Sequence, residues 1–382
     1  MSHSQATVLI DPEIETAAEP FARPVDPKLP ADHPPVQKPK IGVLLLNLGT
    51  PDGTDYRSMR RYLGEFLSDP RVIEVPKAIW QPILQGIILT FRPSKSGEAY
   101  KEIWRQDTDE SPLRYFTRGQ AEKLQAAFGG DDSPILVDWA MRYGTPAIRD
   151  RVDAMVEAGC NRILLAALYP QYSATTTATA YDQAFRKLTK LRWQPAIRTL
   201  PAYHDHPAYI EALAQSIEAA IAGSHWTPER LLLSFHGLPK SYFAKGDPYH
   251  CHCAKTARLL RERLPHLGER IMLTFQSRFG PQEWLQPYTD KTVEELAAEG
   301  VKRLMIATPG FSVDCVETLE EIDIGVRETF FEGGGEHFAH IPCLNDSDVG
   351  MALIQTLVEE ELQGWIDVSS MTIGAGKRDR YA

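Results

Sequence analysis

The sequence predicts an α/β protein of two similar lobes, each a parallel sheet flanked by helices, with an active-site cleft between them. Three observations carry this. Short apolar runs that stop at Gly or Pro alternate with segments of helical spacing, the pattern of buried parallel strands and their crossover helices. A strand, helix, strand unit occurs twice, about 140 residues apart. At 382 residues the chain also exceeds the length at which a single core usually stops growing.

Residues 1–39 hold eight of the 28 prolines and almost no periodic apolar pattern, so they read as a disordered extension ahead of the fold. They lack a basic segment followed by an apolar stretch of about seven residues, so no signal peptide is expected and a cytoplasmic protein is. The first strand begins at Ile41 with the run GVLLLNLGTP, closed by Gly49 and Pro51, and residues 55–67 carry helical spacing. Residues 78–91 follow without a charge, framed by Lys77 and Arg92. A spanning helix needs about 20 apolar residues, and Pro82 and Gly86 interrupt this stretch, so it does not cross a bilayer. Trp80, Phe91 and the isoleucines at a cationic border suit an interfacial segment or the lip of an apolar pocket; a kinked core helix has the same pattern.

From Ser133 the chain reads ILVDWAMRYGTP, a helical AIRDRVDAMVEAG, then NRILLAALYPQYS, and from Arg270 it reads IMLTFQSRFGP, KTVEELAAEG, VKRLMIATPGFS. Arg142, Tyr143 and Gly144 answer Arg278, Phe279 and Gly280, while Pro170, Tyr172 and Ser173 answer Pro309, Phe311 and Ser312. The openings LLLNLGTP and LLLSFHGLP match as well, which puts His236 directly after a buried run. Strands of such a sheet end on the ligand side. Residues 47–49, 142–144, 172–177, 236, 276–279 and 311–317 are therefore expected to face one crevice. Neither a P-loop nor GxGxxG occurs, so no nucleotide is expected.

Composition narrows the partners. Hydrophobic content of 43% and charged content of 24% are those of an ordinary globular protein, and a net charge of -10 argues against nucleic acid. Five cysteines form no even secreted framework and fit reduced thiols. The second repeat diverges into GFSVDCVETLEEIDIGVRE, with Asp314, Glu317, Glu320, Glu321, Asp323 and Glu328. At about 100° per residue Glu317, Glu321 and Glu328 share one helix face, with Asp314 close beside it. That row is either a solvated face or, led toward His236, an oxygen-rich transit site for a divalent first-row metal. HCHC at 250–253 has no second CxC or CxxC partner and reads as a polar loop leading into the helix AKTARLLRERL.

LLLNLGTP, ESPL at Glu110, MRYGTP, LYPQYS, SFHGLP with GDPY, QSRFGPQEWLQP and GFSVDCVETLEEID, spread over about residues 40–365, resemble the ferrochelatase family of bacterial type. The resemblance implies a chelatase-like pair of Rossmann-like lobes and a lyase that inserts Fe2+ into protoporphyrin IX at the end of haem synthesis. It places the first lobe at 40–200, with a hydrophobic lip at about 72–92, the second at 201–365, and a flexible tail at 366–382. By resemblance His236 and Glu317 are catalytic, and His236, Glu317 and Glu321 meet the metal. Leu48, Arg92, Tyr100, Arg142, Tyr143, Tyr172, Ser173, Gln276, Ser277, Trp284 and Phe311 line the pocket, with Arg92 or Arg142 suited to a porphyrin propionate.

The resemblance further implies no tightly bound cofactor, iron being a substrate, and peripheral contact of the 78–91 lip with the inner membrane. Some members carry an iron–sulfur cluster with ligands in an added C-terminal segment; the tail from Trp365 has no cysteine, so none is expected. Cys315 stands where some members have histidine, which puts a proton relay there in doubt. A free-base porphyrin must lose two inner N–H protons before four nitrogens bind a metal, and His236 is the candidate base. Other readings are a chelatase for coproporphyrin or another tetrapyrrole, and a tetrapyrrole carrier without chemistry.

Overall fold

The computed structural model describes residues 38–366; the expected disordered extension and flexible tail lie almost wholly outside the described residues. Strands β1 (Lys40–Gly49), β2 (Ile135–Tyr143), β3 (Cys160–Ala167) and β4 (Ala196–Thr199) form one sheet in the order β2-β1-β3-β4. Strands β5 (Arg230–His236), β6 (Ile271–Gln276), β7 (Arg303–Ala307) and β8 (His337–Ile341) form a second in the order β6-β5-β7-β8. All pairings within the two sheets are parallel, and the second order is the first advanced by four strands. The repeat extends to the loops: Met141 N donates to Pro146 O at 2.7 Å after β2, and Phe275 N to Pro287 O at 2.8 Å after β6.

The helices are α1 (Tyr56–Leu67), α2 (Lys77–Ile83), α3 (Leu89–Ile103), α4 (Pro112–Ala127), α5 (Ile148–Glu157), α6 (Thr179–Leu188), α7 (Pro207–Gly223), α8 (Lys240–Ala244), α9 (Tyr249–Arg263), α10 (Thr289–Ala298), α11 (Val316–Thr318), α12 (Arg327–Glu332) and α13 (Asp348–Leu362). Strand residues alternate between faces. Leu44, Leu46, Ile163 and Leu165 point outward against Ile148, Val152 and Met155 of α5 and Ala180 and Ala184 of α6. In the second sheet Leu232, Leu304 and Ile306 meet Val293 and Leu296 of α10 and Phe330 of α12. The opposite faces, Val43, Leu45 and Leu164 with Leu231, Leu233 and Met305, share one continuous core with residues of α4, α7, α9 and α13. These four helices form a middle layer between the sheets.

In each sheet the chain order reverses beside the first strand, so the crevice opens at the carboxyl ends of β1 and β5. Gly49 closes β1 at φ 117°, where a Cβ would lie 1.9 Å from Tyr143 O, so only glycine fits. The uncharged stretch is α2, a wider π-helical turn over Leu84–Ile88, and the start of α3. Ile79, Ile83, Ile87 and Phe91 are 59%, 40%, 59% and 72% exposed, while Leu84 and Leu89 are buried. It is an exposed apolar stretch and not a kinked core helix, and among the described residues no helix is long and apolar enough to cross a membrane. HCHC is not a loop ahead of a helix: it lies in the first turn of α9, with Cys253 in the shared core.

His252 of α9 stacks on His204, with ring centroids 3.6 Å apart and planes at 4°. Burial is the largest cause acting on both rings, drawing His204 down to about 4 and His252 below its usual range, against the opposing pull of Asp205. The folded pair therefore stays neutral at a pH where unfolded histidine, with a pKa near 6.5, takes up protons. Its contribution to stability is complete above pH about 6.5 and declines as pH falls toward 4. Urea midpoints at pH 7.5 and 5 are expected to show this loss, and His252→Gln to reduce the difference between them.

Candidate active site

β5 runs through Leu231, Leu232, Leu233, Ser234 and Phe235, all buried, and delivers His236 half-buried at the crevice. His236 Nδ1 lies 2.6 Å from Gly237 O. A carbonyl oxygen only accepts, so Nδ1 carries the hydrogen and the neutral ring keeps its lone pair on Nε2. Gly237 permits this turn because a Cβ there would meet Gln276 O at 2.7 Å and the Trp284 ring at 3.2 Å. Trp284, anchored by donation from Nε1 to Phe279 O at 2.9 Å, backs the histidine loop.

A polar ladder ties this strand end to the acidic segment. Ser234 Oγ, in contact with Thr289 Oγ1 at 2.8 Å, donates to Gln276 Oε1 at 2.7 Å. Gln276 Nε2 donates to Glu317 O at 2.7 Å and reaches Glu321 Oε2 at 3.4 Å. Ser277 binds the same carboxylate twice, through N at 2.8 Å and through Oγ. Ser277 has φ 64°, an uncommon conformation for a residue with a Cβ, and it aims both donors at Glu321.

Glu317 sits in the short α11, and Leu319–Val326 continue as a π-helical turn. The wider turn overturns the single face inferred from a 100° step: Glu328 belongs to α12 and is exposed. Asp314 also leaves the row, being buried as an acceptor for Asn345 Nδ2 at 2.6 Å, Thr318 Oγ1 at 3.0 Å and Cys343 N at 3.2 Å. Burial lifts Glu321 above the usual carboxylate range; Ser277 and His236 oppose that rise and Glu317 adds to it. Burial likewise raises Glu320, reinforced by Glu321 and by Glu102 of α3. Burial and then Glu317 hold the Cys315 thiol well above its usual range, so it stays protonated at neutral pH.

The first lobe supplies the facing wall. Tyr62 and Tyr100 are buried beside Glu317, whose charge adds to burial in raising both phenols. Arg142 is not available to a propionate: it is buried, donating from Nε to Thr179 Oγ1 at 2.6 Å and from Nη2 to Asp69. Tyr143 is buried too, its hydroxyl donating to Asp69 Oδ2 at 2.9 Å. Burial pushes Asp69 up, but donors from Thr179, Arg71 N and Arg142 outweigh it and hold the carboxyl below its usual range. Arg92 lies on this wall as well, above Phe279. It is half-buried, its guanidinium lies 4.9 Å from the Phe279 ring centroid, and no carboxylate pairs with it among the described residues.

Leu48 is half-buried between the outer core and the lip cluster, and Phe311 packs with Leu113 and Val313. Tyr172 N donates to His252 Nδ1 at 3.2 Å, and Ser173 Oγ to Asp247 Oδ2 at 3.0 Å, so these two turns are pinned to the second lobe.

A family model for ferrochelatase matches residues 40–362. The chain belongs to the ferrochelatase family. The ferrochelatase of Allorhizobium ampelinum is 62% identical over 339 residues, covering 88% of this chain and 98% of its own, and that of Agrobacterium fabrum is 61% identical over 338 residues with the same coverage. SirB from Bacillus subtilis with Fe3+ aligns at a TM-score of 0.50 and 13% identity, covering 84% of this chain and 95% of that one, which supports the fold alone.

In this ferrochelatase-family site the structure brings together His236, Gln276, Ser277, Trp284, Glu317 and Glu321 from the second lobe, and sets Tyr100 and Arg92 against them. Among the described residues no three of His, Cys, Asp and Glu converge as ligands of one ion, and the expected set His236, Glu317 and Glu321 does not form such a group. Tyr62 and Asp69 were missed. Tyr62 lies in a helix of ordinary amphipathic spacing and Asp69 in the turn SDPR, and neither string signals chemistry. Removing the Ser277 hydroxyl takes away a bond that favours the ionised form of Glu321. Ser277→Ala is therefore expected to move protonation of Glu321 to higher pH, read as the carboxyl C=O band in an infrared difference titration.

Proposed function

We propose that this chain inserts Fe2+ into protoporphyrin IX to give protohaem, in the cleft between lobes at 40–200 and 201–365. The observation that carries this is the tautomer of His236. With Nδ1–H given to Gly237 O, Nε2 is left as an acceptor, near the Glu321 carboxylate whose ionised form His236 favours. The reaction replaces two N–H bonds of the macrocycle with bonds from four nitrogens to the metal, so two protons must leave. His236 Nε2 takes one from the ring face it borders. Glu317, with Glu321 behind it, receives the other and guides the ion to the ring. Glu321 suits that handover because burial lifts its carboxyl above the usual range, which favours uptake of a proton, while Ser277 opposes that rise.

Packing supports a rigid pocket in place of a flexible one. Gln276 holds the Glu317 backbone, Trp284 covers the His236 turn, and Asp69 locks Arg142 and Tyr143 behind the wall. Such a pocket stabilises a bent macrocycle, whose exposed nitrogen lone pair meets the incoming ion, better than the flat one. Arg92 is the group suited to a propionate, being a half-buried cation that an ionised carboxylate would neutralise. A carrier would have no use for a base set opposite a carboxylate pair.

The lip fits peripheral contact between a cytoplasmic protein and the inner membrane. Ile79, Ile83, Ile87 and Phe91 follow a four-residue step on one side of the stretch that leads into Arg92, so an apolar substrate could pass from lipid to the cleft.

Anaerobic assays with Fe2+ and protoporphyrin test the chemistry. His236→Ala and Glu317→Gln are expected to lower kcat by about 10²–10⁴. Arg92→Ala is expected to act mainly on KM, raising it by about 10- to 100-fold, as befits one charge-assisted hydrogen bond. Wild-type kcat in both His236→Ala and Glu317→Gln would end this reading. Separately, replacing Ile87 and Phe91 with serine is expected to weaken sedimentation with phospholipid vesicles while leaving detergent-phase activity unchanged.

A further inference from the structure

One surface is unexplained by the cleft or the lip. The chain from Gln183 to Arg198, QAFRKLTKLRWQPAIR, carries Arg186, Lys187, Lys190, Arg192 and Arg198 and no acidic residue, in a protein of net charge -10. It covers the last turns of α6 and the link into the edge strand β4, held together by Gln194 Nε2 donating to Leu188 O at 2.8 Å. Phe185 and Trp193 are 42% and 54% exposed there. Arg186 pairs with Asp182, Lys187 with Asp153, and Arg198 donates to Gln363 O. Lys190 and Arg192 are exposed and have no ion pair among the described residues. Two exposed aromatic rings on the stretch 185–193, which also holds two cations without an ion pair among the described residues, make this an aromatic-basic docking face.

We propose that this face is occupied in cis by the chain's own N-terminal segment, residues 8–21. That segment, VLIDPEIETAAEPF, pairs Val8, Leu9, Ile10, Ile14 and Phe21 with Asp11, Glu13, Glu15 and Glu19 and has no basic residue. Its charge and its apolar content complement the face. The geometry allows it: Ile41, Arg162 and Ala196 are in register on β1, β3 and β4, so two strand spacings, about 10 Å, separate the first from the last. Lys38 and Trp193 each lie three residues further on, at most about 10 Å, which puts the start of the described chain within about 30 Å of Trp193. Residues 8–21 are 17 to 30 positions before Lys38. A coil of that length averages about 25 Å, so the tether reaches without strain and supplies an effective concentration on the order of 1 mM. A contact of about 0.1 mM intrinsic affinity is then about nine-tenths occupied.

Hydrogen exchange of the full-length protein tests this. Docking predicts that amides of residues 185–194 exchange about tenfold more slowly than in a full-length variant with Asp11→Asn, Glu13→Gln, Glu15→Gln and Glu19→Gln. Lys190→Glu with Arg192→Glu should give the same loss, and combining that pair with Glu13→Lys and Glu15→Lys should restore protection. Equal exchange in wild type and the neutralised variant overturns the proposal. Protection that rises with protein concentration also overturns it, in favour of a second copy. Protection seen only with anionic phospholipid vesicles, and unchanged by neutralising the extension, overturns it in favour of a lipid surface.

Discussion

The arrangement of the cleft depends on one side-chain amide. Gln276 is fixed end for end, its oxygen accepting from Ser234 and its nitrogen donating to the backbone of Glu317. A flipped amide would set its oxygen against the Glu317 carbonyl, acceptor against acceptor, whereas the Ser234 hydroxyl could turn to suit either end, so the Glu317 bond fixes the orientation and losing it costs about 1–3 kcal/mol. The amide thus converts the register of β5 and β6, set by ordinary strand pairing between His236 and Gln276, into a fixed position for the acidic segment. Histidine and carboxylates arrive on different elements, and this bond is what makes their spacing a property of the sheet.

The two lobes show how one topology is put to different uses. Each third strand leads into a π-helical turn, Ala174–Ala178 in the first lobe and Leu319–Val326 in the second. In the first the turn is neutral and its start is pinned by Asp247 from the other lobe. In the second it carries Glu320 and Glu321 to the cleft. A π turn widens the helix by one residue and re-aims the side chains it contains, which is why such turns collect at functional places. Here duplicated scaffolding supplies a passive wall on one side and ionisable groups on the other.

Much of this was legible in the chain. The apolar runs gave the first, second and third strands of each lobe, and the paired motifs gave the likeness of the two lobes, because buried strands and their turns are written in local composition; the order of strands in each sheet came from the structure. His236 was placed by the same logic. What could not be read was where polar side chains find partners. Arg142 suits a propionate as a residue type, yet Asp69, 73 positions earlier, takes its guanidinium. Asp314 looked like a member of the acidic row until Asn345 and Thr318 claimed its oxygens. The row itself was drawn on an ideal helix, and the extra residue of the π turn shifted it. Each failure is a tertiary contact or backbone irregularity that no short window contains.

The middle layer of helices has a mechanical consequence. Because Val43 and Leu45 of one sheet and Leu231 and Leu233 of the other belong to a single core, the lobes cannot swing apart like a hinged book without exposing apolar surface along its whole length. The molecule is braced across its waist, while α2 and the first turns of α3 lie outside that shared core. A frame braced in this way resists opening along its whole length, so the spacing of the two strand ends that flank the crevice is set by the core and not by the loops.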